Sequence, residues 1–225
     1  RNEYHARYRK PHGKEERQRN NHSDSYSHSS ATVPPTCPEL PRGFLVRDSD
    51  TQELKEAVLG KGNNSPTALT SEKSGHNKIG AHGMGGIGKT TLAIHLVHDE
   101  EVLSSFETVV WISVGVAPDI RELQSSIHFQ ICGKHFPETV MRNDEAVKAL
   151  RDVAKRASIL LVLDDIWDQS HEKMLNCIDP STKSRLVVTT RIRGLLQNCA
   201  EVSVGVLSRR EGLNLLLASA DMDPA

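Results

Sequence analysis

The sequence predicts an α/β fold, a three-layer sandwich in which a parallel β-sheet lies between two layers of helices. From residue 79 onward, apolar segments with strand character alternate with segments of helical periodicity, which is typical of βαβ units. The run 159–163 is apolar at every position, as expected for a strand buried on both faces. A glycine-rich segment at 83–90 separates the first strand from a helix, which predicts a binding loop at the carboxyl edge of the sheet.

Two N-terminal segments precede this alternating pattern. Residues 1–33 are rich in Arg, Asn, His and Ser, and their apolar residues follow no period. Because such a segment buries too little apolar surface to offset its ordering entropy, we predict a disordered tail. The irregular spacing of its histidines favours a solvated segment over a metal site. Residues 34–49 are rich in proline, which predicts a stiff connector.

The folded domain is predicted to span 50–225, with its core at 79–220. Asp50 precedes apolar residues at helical spacing, which predicts a short amphipathic helix with Asp50 as its N-cap. The segment 60–78 is polar and rich in Gly, Asn and Ser, which predicts a long loop.

Strands and helices alternate after this loop. The predicted strands, which are rich in β-branched and other apolar residues, lie at 79–82, 108–114, 158–163, 185–190 and 201–206. The last of them alternates apolar and polar residues, which is typical of an edge strand. The predicted helices lie at 89–97, after the N-cap Asp119, at 143–157, and after the N-cap Ser208. Right-handed crossovers between parallel strands would bring the carboxyl ends of the strands to one edge.

The composition is that of an ordinary soluble protein. The hydrophobic content is 37%, the charged content is 25% and the formal net charge is −1, so nothing favours a nucleic-acid or membrane partner. No apolar run approaches the roughly 20 residues that cross a bilayer, and no secretion leader is recognisable. The four cysteines match no metal-ligand spacing. We therefore expect a cytoplasmic protein with free thiols.

The segment 83–90 fits the pattern G-x-x-x-x-G-K-[ST] at every fixed position. The predicted phosphate-binding residues are Gly83, Met84, Gly85, Gly86, Ile87, Gly88, Lys89 and Thr90, followed by Thr91 in the first helical turn. Glycines let the backbone wrap around phosphate oxygens, so that several N–H groups face one anion. Lys89 would neutralise charge on the outer phosphates, and the Thr90 hydroxyl would be a ligand of Mg²⁺.

Two acids follow the strand 158–163. Asp164 is predicted to bind Mg²⁺, and Asp165 to orient or deprotonate an attacking water. Acids are also common in strand-end turns, and it is the phosphate loop upstream that favours the functional interpretation. Arg191 follows the strand 185–190, from which its guanidinium could reach a γ-phosphate. Its position alone does not separate this role from that of an ordinary surface arginine.

Four blocks of the sequence, at 83–93, 109–114, 161–167 and 186–191, resemble the NB-ARC domain in order and in wording. That domain belongs to the signalling (STAND) class of P-loop NTPases and is shared by plant disease-resistance proteins and apoptotic protease-activating factors. The resemblance implies a switch in which ADP holds a closed state, while ATP permits opening and oligomerisation. It implies that Mg²⁺ lies on Thr90 and Asp164 and that Arg191 senses the γ-phosphate. It also implies that the chain runs beside the adenine at Val46 and Arg47.

The sequence departs from the family pattern after the last predicted helix. We expect the helical and winged-helix subdomains that follow in the family to be missing, and this chain to hold half of the nucleotide pocket, as a fragment or a truncated product. Self-association or an effector protein are the partners that the resemblance implies, besides the adenine nucleotide.

Several functions remain open besides a signalling switch with slow ATP hydrolysis. A mechanical, AAA+-like ATPase is one alternative, although such enzymes usually carry Glu after the metal-binding Asp, where this chain has Asp165. A GTPase would need an Asn-Lys-x-Asp motif after the metal-binding strand, and the one Asn-Lys pair, at 77–78, precedes the phosphate loop. A small-molecule kinase would need an arginine-rich lid. A relic that no longer binds nucleotide is the last alternative, and at most we expect a weak ATPase.

Overall fold

The computed structural model describes residues 31–61, 77–136 and 142–220. In chain order the elements are α1 (Asp48–Leu59), β1 (Lys78–His82), α2 (Lys89–Val97), α3 (Glu100–Ser105), β2 (Thr108–Gly115), α4 (Ile120–Cys132), α5 (Asn143–Ala154), β3 (Ile159–Ile166), α6 (Gln169–Leu175), β4 (Arg185–Thr190), β5 (Ala200–Ser203) and α7 (Arg209–Ser219). Each strand predicted from the sequence is present, with bounds that differ by a few residues.

The five strands form one sheet in the order β2-β3-β4-β1-β5. Every neighbouring pair is parallel, so the carboxyl ends of all five strands meet at one edge. The predicted edge strand, β5, lies at one margin of the sheet. The strands β3, β4 and β1 are direct neighbours, which brings the segments that follow them together.

The sheet is covered on both faces, and β3 demonstrates this residue by residue. Leu160 and Val162 join a cluster with apolar residues of α1, α2 and α3. Ile159, Leu161 and Leu163 join a second cluster with residues of α4, α5 and α6. All five side chains have no exposed surface, which is why this strand is apolar throughout rather than alternating. The predicted three-layer α/β sandwich is therefore confirmed.

The helix starts follow capping chemistry, with one prediction corrected. Asp119 and Ser208 are the N-caps of α4 and α7, as predicted, and each accepts a hydrogen bond from a backbone N–H three residues on. The prediction for Asp50 was wrong, because α1 begins at Asp48 and Asp50 lies within its first turn. There the Asp50 carboxylate pairs with the Arg47 guanidinium, 2.7 Å away, and an acid in a first turn also interacts favourably with the helix dipole.

The structure adds two short helices, α3 and α6, that the sequence analysis did not predict. Asp99 caps α3 by accepting hydrogen bonds from Glu101 N and Val102 N at 3.0 and 3.1 Å. Asp168 caps α6 by accepting one from Ser170 N at 2.7 Å. Helices of this length bury few apolar residues, so their periodicity is too short to recognise in a sequence. The helix α5 also ends at Ala154, three residues earlier than predicted.

The N-terminal connector packs on the folded domain. Ala31 is buried, and its N–H donates to the carbonyls of Leu103 and Phe106. The Thr36 hydroxyl donates to the Trp111 carbonyl of the edge strand β2, 3.0 Å away. Residues 31–33, which the sequence analysis assigned to the tail, thus belong to the packed part of the chain. The rest of the predicted tail, 1–30, and most of the predicted loop, 62–76, lie outside the described residues.

Helix α7 buries none of its side chains, and Leu213 and Leu216 are exposed.

The four cysteines are free thiols, as expected, and burial raises the pKa of the Cys177 thiol to about 12. Within the described ranges, no helix combines the length and the apolar character needed to cross a bilayer.

Candidate functional site

The glycine-rich loop joins β1 to α2 at the carboxyl edge of the sheet. Gly86 and Gly88 have φ values of 76° and 102°, in the left-handed region that glycine adopts without strain. Gly88 is also the N-cap of α2, and no side chain caps this helix. The N–H groups of the first turn are therefore available for an anion, and the positive end of the helix dipole lies at the same place.

Two further glycines have close neighbours. A Cβ atom on Gly83 would lie 2.6 Å from the carbonyl oxygen of Val204, just beyond β5. A Cβ atom on Gly85 would lie 3.0 Å from a terminal nitrogen of Arg191. The loop thus lies between the end of β5 and the Arg191 side chain, with no space for a larger residue at Gly83.

Lys89 is folded into the loop. Its Nζ donates to the carbonyls of Gly83 and Met84 at 2.9 and 2.8 Å, and the residue is only 6% exposed. Burial lowers the pKa of Lys89, with a further contribution from the positive charge of Arg191, while Asp165 and Asp164 act in the opposite direction. A buried ammonium held by loop carbonyls is poised to exchange one of them for a phosphate oxygen.

Thr90 and Asp164 meet below the loop. The Thr90 hydroxyl donates to Asp164 Oδ1 at 2.8 Å, and the Thr189 hydroxyl donates to the same oxygen at 2.6 Å. Asp164 is 6% exposed, and burial raises its pKa, with the charge of Asp165 adding to the effect, while the two hydroxyl donors and Lys89 oppose it. A carboxylate and a hydroxyl side by side are the hard oxygen ligands that Mg²⁺ prefers.

Asp165 lies in an irregularity of β3. Its φ is 57°, and the register with β4 shifts between Leu163 and Ile166. A bulge of this kind re-aims side chains, so that two consecutive carboxylates are presented at one edge. The Asp165 N–H donates to the Thr189 hydroxyl at 2.8 Å, which ties the bulge to β4.

Arg191, directly after β4, lies across the mouth of the site. Its Nε donates to Asp165 Oδ1 at 3.4 Å, and its guanidinium lies 4.8 Å from the centre of the Trp167 ring. The Trp167 Nε1–H donates to Asp165 Oδ2 at 3.0 Å. Both carboxylate oxygens of Asp165 are thus engaged by neighbouring side chains.

These groups line one cleft of about 280 Å³. The lining residues are Gly86, Gly88, Lys89, Thr90, Thr91, Asp164, Asp165 and Arg191, all of which the sequence predicted as site residues. Gly83, Met84, Gly85 and Ile87 complete the loop without lining the cleft. The cleft therefore joins a loop suited to phosphates, a pair of oxygen ligands and one exposed cation.

Val46 and Arg47, predicted beside the adenine, do not line this cleft. Val46 is 44% exposed. The Arg47 guanidinium donates to the carbonyl of Ile87, 3.0 Å away, and to the carbonyl of Gly205. Arg47 thus ties the phosphate loop to the segment after β5, a structural contact that does not test the predicted adenine contact.

Two residues of the site were not identified from the sequence. Thr189 joins Asp164 and Asp165, and Trp167 supports Arg191. The paired threonines at the end of β4, which follow the apolar residues 186–188, were a signal for Thr189. The position of Trp167 had no comparable signal, because its contact with Arg191 depends on which strands are neighbours.

Comparisons with known proteins agree with this geometry. The solved structure of the Aeropyrum pernix ORC1 protein in complex with DNA matches with a TM-score of 0.53 and 18% identity, covering 83% of this chain and 52% of that chain. At this identity the likeness concerns the fold alone. The DNA in that structure is a ligand of the ORC1 protein and is not attributed to this chain.

Plant proteins are among the curated relatives. A late blight resistance protein homolog of Solanum demissum, R1A-10, is 30% identical over 146 residues, which cover 63% of this chain and 11% of that protein. Disease resistance protein SUMM2 of Arabidopsis thaliana is 34% identical over 132 residues, which cover 56% of this chain and 14% of that protein. The match thus spans a small part of each relative.

A family model, that of the NB-ARC domain, matches residues 66–224, well over half of the chain. This chain therefore belongs to the NB-ARC family.

Proposed function

We propose that this domain binds ADP and ATP and acts as a nucleotide-dependent switch in a defence signalling pathway. One observation carries the proposal: the phosphate loop, the Thr90–Asp164 pair and Arg191 line a single cleft, at the ends of three neighbouring strands. Such an arrangement can bind a nucleotide and also distinguish a diphosphate from a triphosphate. Nucleotide binding is the function that the family and the fold support.

The phosphates would bind to the loop and to α2. The backbone N–H groups at the start of α2 would donate to the phosphate oxygens, with the helix dipole adding to the attraction. The Lys89 ammonium would exchange one of its contacts with the carbonyls of Gly83 and Met84 for contacts with the outer phosphates. Because the loop already holds this charge at the site, little reorganisation would accompany binding.

Thr90 and Asp164 would hold a Mg²⁺ ion. Their oxygens are 2.8 Å apart, and both are of the type that this cation prefers. When bound, the cation would neutralise part of the phosphate charge. The Thr189 hydroxyl, hydrogen-bonded to Asp164, would keep the carboxylate oriented toward Thr90.

Arg191 would report the presence of the γ-phosphate. Its guanidinium lies beside Gly85 of the loop and is exposed to the cleft. Guanidinium nitrogens bind phosphate oxygens in pairs, so a third phosphate would gain contacts that a diphosphate does not make. ATP and ADP would thereby favour different positions of the segment that carries Arg191.

Hydrolysis of ATP to ADP and phosphate is expected to be slow. Asp165, the candidate base, has one oxygen bound to Arg191 and the other to Trp167, which leaves it poorly suited to deprotonate water. Within the described residues, Arg191 is the one arginine that lines the cleft. A complementing arginine accelerates phosphoryl transfer by about 10³–10⁵, so a second cation from a neighbouring subunit would be needed for fast turnover.

The defence role comes from the relatives, whose names describe disease and late blight resistance. In such a pathway, self-association or an effector protein would be the downstream partner, and the cytoplasm the compartment. These parts of the proposal concern a longer protein of which the matched region is 11–14%.

The first experiment is to purify the chain, denature it and identify the released nucleotide by chromatography against standards. Near-stoichiometric ADP is the expected result. Bound GDP would contradict the adenine assignment. Should no nucleotide be released, the purified chain would be titrated with ADP, and a failure to bind added ADP would contradict the proposal that this chain binds nucleotide on its own.

A second prediction concerns Asp164→Asn, which removes the charge but keeps an acceptor oxygen for Thr90 and Thr189. The raised pKa of Asp164 means that the folded state binds a proton more tightly than the unfolded chain does. The ionised carboxylate therefore destabilises the fold at neutral pH, and this effect disappears as the pH falls through the folded-state pKa. Without nucleotide, we expect the variant to gain about 0.5–2 kcal/mol, or about 2–4 °C in Tm per kcal/mol.

The same variant is expected to weaken Mg²⁺-dependent ATP binding more than ADP binding. Melting curves in chelator and nucleotide titrations with Mg²⁺ measure the two effects separately. Asp179→Asn is the matched control, because hydrogen bonds from Ser181 lower the pKa of Asp179 and its neutralisation should not stabilise the fold. A lower Tm for Asp164→Asn would contradict the destabilising effect of the buried charge, and an equal loss of ATP and ADP affinity would contradict the metal-site assignment.

A further inference from the structure

Trp167, Asp165 and Arg191 form a closed set of contacts above the phosphate loop. The Trp167 ring lies 4.8 Å from the Arg191 guanidinium and donates its Nε1–H to Asp165 Oδ2 at 3.0 Å. Arg191 Nε donates to the other oxygen, Oδ1, at 3.4 Å. Each of the three side chains thus contacts the other two, although they come from two different strand ends.

These contacts use only one part of the guanidinium. Asp165 holds Nε, and the ring of Trp167 holds one face, so the two terminal nitrogens keep their hydrogens free. Within the part of the chain that the structure describes, those nitrogens form no hydrogen bond. One of them lies 3.0 Å from the position of a Cβ atom on Gly85, directly over the loop.

Without support, a side chain such as Arg191 would be mobile. It is 46% exposed, and an arginine that must be fixed before it can bind loses much rotamer entropy. The single bond to Asp165 is long at 3.4 Å, so it fixes the guanidinium plane poorly. The flat ring of Trp167 provides the second restraint, because a cation–π contact favours one placement of the cation over the ring face.

We infer that Trp167 is a positioning residue that holds Arg191 with its terminal nitrogens directed at the γ-phosphate position. This inference rests on the proposed function, in which Arg191 reads the third phosphate. Within the described residues, the hydrogen bond and the cation–π contact of Trp167 go to Asp165 and Arg191, and not to the loop, Thr90 or Asp164, so we expect its effect to be confined to ATP. ADP, which lacks the γ-phosphate, binds independently of the Trp167 ring.

The test measures the affinities of the whole chain for an ATP analogue and for ADP, with substitutions of Trp167 in the wild-type and in the Arg191→Ala backgrounds. Trp167→Leu keeps apolar bulk but removes the ring, and we expect it to weaken the binding of a non-hydrolysable ATP analogue about 3- to 10-fold. ADP affinity should stay within about twofold. Trp167→Phe keeps a ring face and should lose less than the leucine variant. In an Arg191→Ala background, Trp167→Leu should leave the ratio of the two affinities unchanged.

The outcomes separate this inference from the function on which it rests. An Arg191→Ala variant with an unchanged affinity ratio would contradict γ-phosphate sensing itself, as would a chain that binds neither nucleotide. If Arg191→Ala lowers the ratio of ATP-analogue affinity to ADP affinity and Trp167→Leu does not, the positioning role of Trp167 is wrong, while the role of Arg191 as γ-phosphate sensor is retained. Equal loss of both affinities in Trp167→Leu, or a phenylalanine variant as impaired as the leucine one, would also overturn the positioning role.

Discussion

Replacing Lys89 by alanine is expected to abolish nucleotide binding, with an affinity loss of at least about 100-fold. The proposed ammonium–phosphate contacts are charge-assisted hydrogen bonds, worth about 1.5–3 kcal/mol each. Two of them would contribute about 3–6 kcal/mol, and about 1.4 kcal/mol corresponds to a factor of ten in affinity. The negative charge of the phosphates would then remain poorly neutralised in a cleft that already contains Asp164 and Asp165.

This loss should not result from unfolding. The pKa of Lys89 is lowered, chiefly by burial, so the charged form is less favourable in the folded than in the unfolded state. Truncation removes that unfavourable term together with two hydrogen bonds to loop carbonyls. The two effects oppose each other, and we expect the nucleotide-free variant to melt close to the wild-type chain.

Isothermal titration with ADP and with ATP in the presence of Mg²⁺ measures the effect. Lys148→Ala on α5 is the matched control, because it removes an exposed lysine from a helix outside the cleft. The control should bind both nucleotides as the wild-type chain does. Unchanged ADP affinity in the Lys89 variant would mean that the loop does not bind phosphates.

The parts of the fold that the sequence predicted are those specified by local pattern. The loop at 83–90 is recognisable because its glycines and its lysine have fixed spacing. The strand β3 is recognisable because a strand buried on both faces is apolar throughout. In both cases neighbouring residues alone carry the information, and the structure agrees with the prediction.

The parts that could not be predicted depend on contacts between distant segments. The order of the strands determines that Trp167 lies beside Arg191, and the bulge in β3 determines that Asp165 accepts bonds from both. Asp50 illustrates the same limit at a helix start. Asp50 was the predicted cap, and it does not cap the helix, because α1 begins at Asp48, directly after Arg47, whose guanidinium pairs with Asp50.

Gly83→Ala is the second substitution for which we expect a large effect, although it adds a single methyl group. In Gly83→Ala, the new Cβ would lie 2.6 Å from the carbonyl oxygen of Val204, far inside van der Waals contact. That oxygen belongs to the backbone and cannot rotate away. The Val204 N–H also donates to the His82 carbonyl at 2.9 Å, which holds the two segments together immediately before the loop.

The overlap can be relieved only by moving the loop away from β5, and this movement disturbs the phosphate site. Arg47 bridges the same segments through the carbonyls of Ile87 and Gly205, so its contacts would also be strained. We expect a cost of about 1–3 kcal/mol, as for other overpacked positions. Nucleotide affinity should fall about tenfold or more, because the N–H groups of the loop would no longer converge on one anion.

Gly212→Ala on α7 provides the matched control, since its added methyl group would have no neighbour within 4 Å and alanine favours a helix over glycine by up to about 1 kcal/mol. This variant should melt at the same temperature as the wild-type chain or higher, with unchanged affinity. Thermal melting of both variants measures the change in stability, and titration with ADP measures the change in nucleotide affinity. A Gly83→Ala variant that bound ADP as tightly as Gly212→Ala does would mean that the end of β5 yields to the methyl group, and that the loop is not held in place by Val204. Reduced affinity in Gly83→Ala with little change in Tm would instead mean that the cost falls on the phosphate geometry and not on the fold.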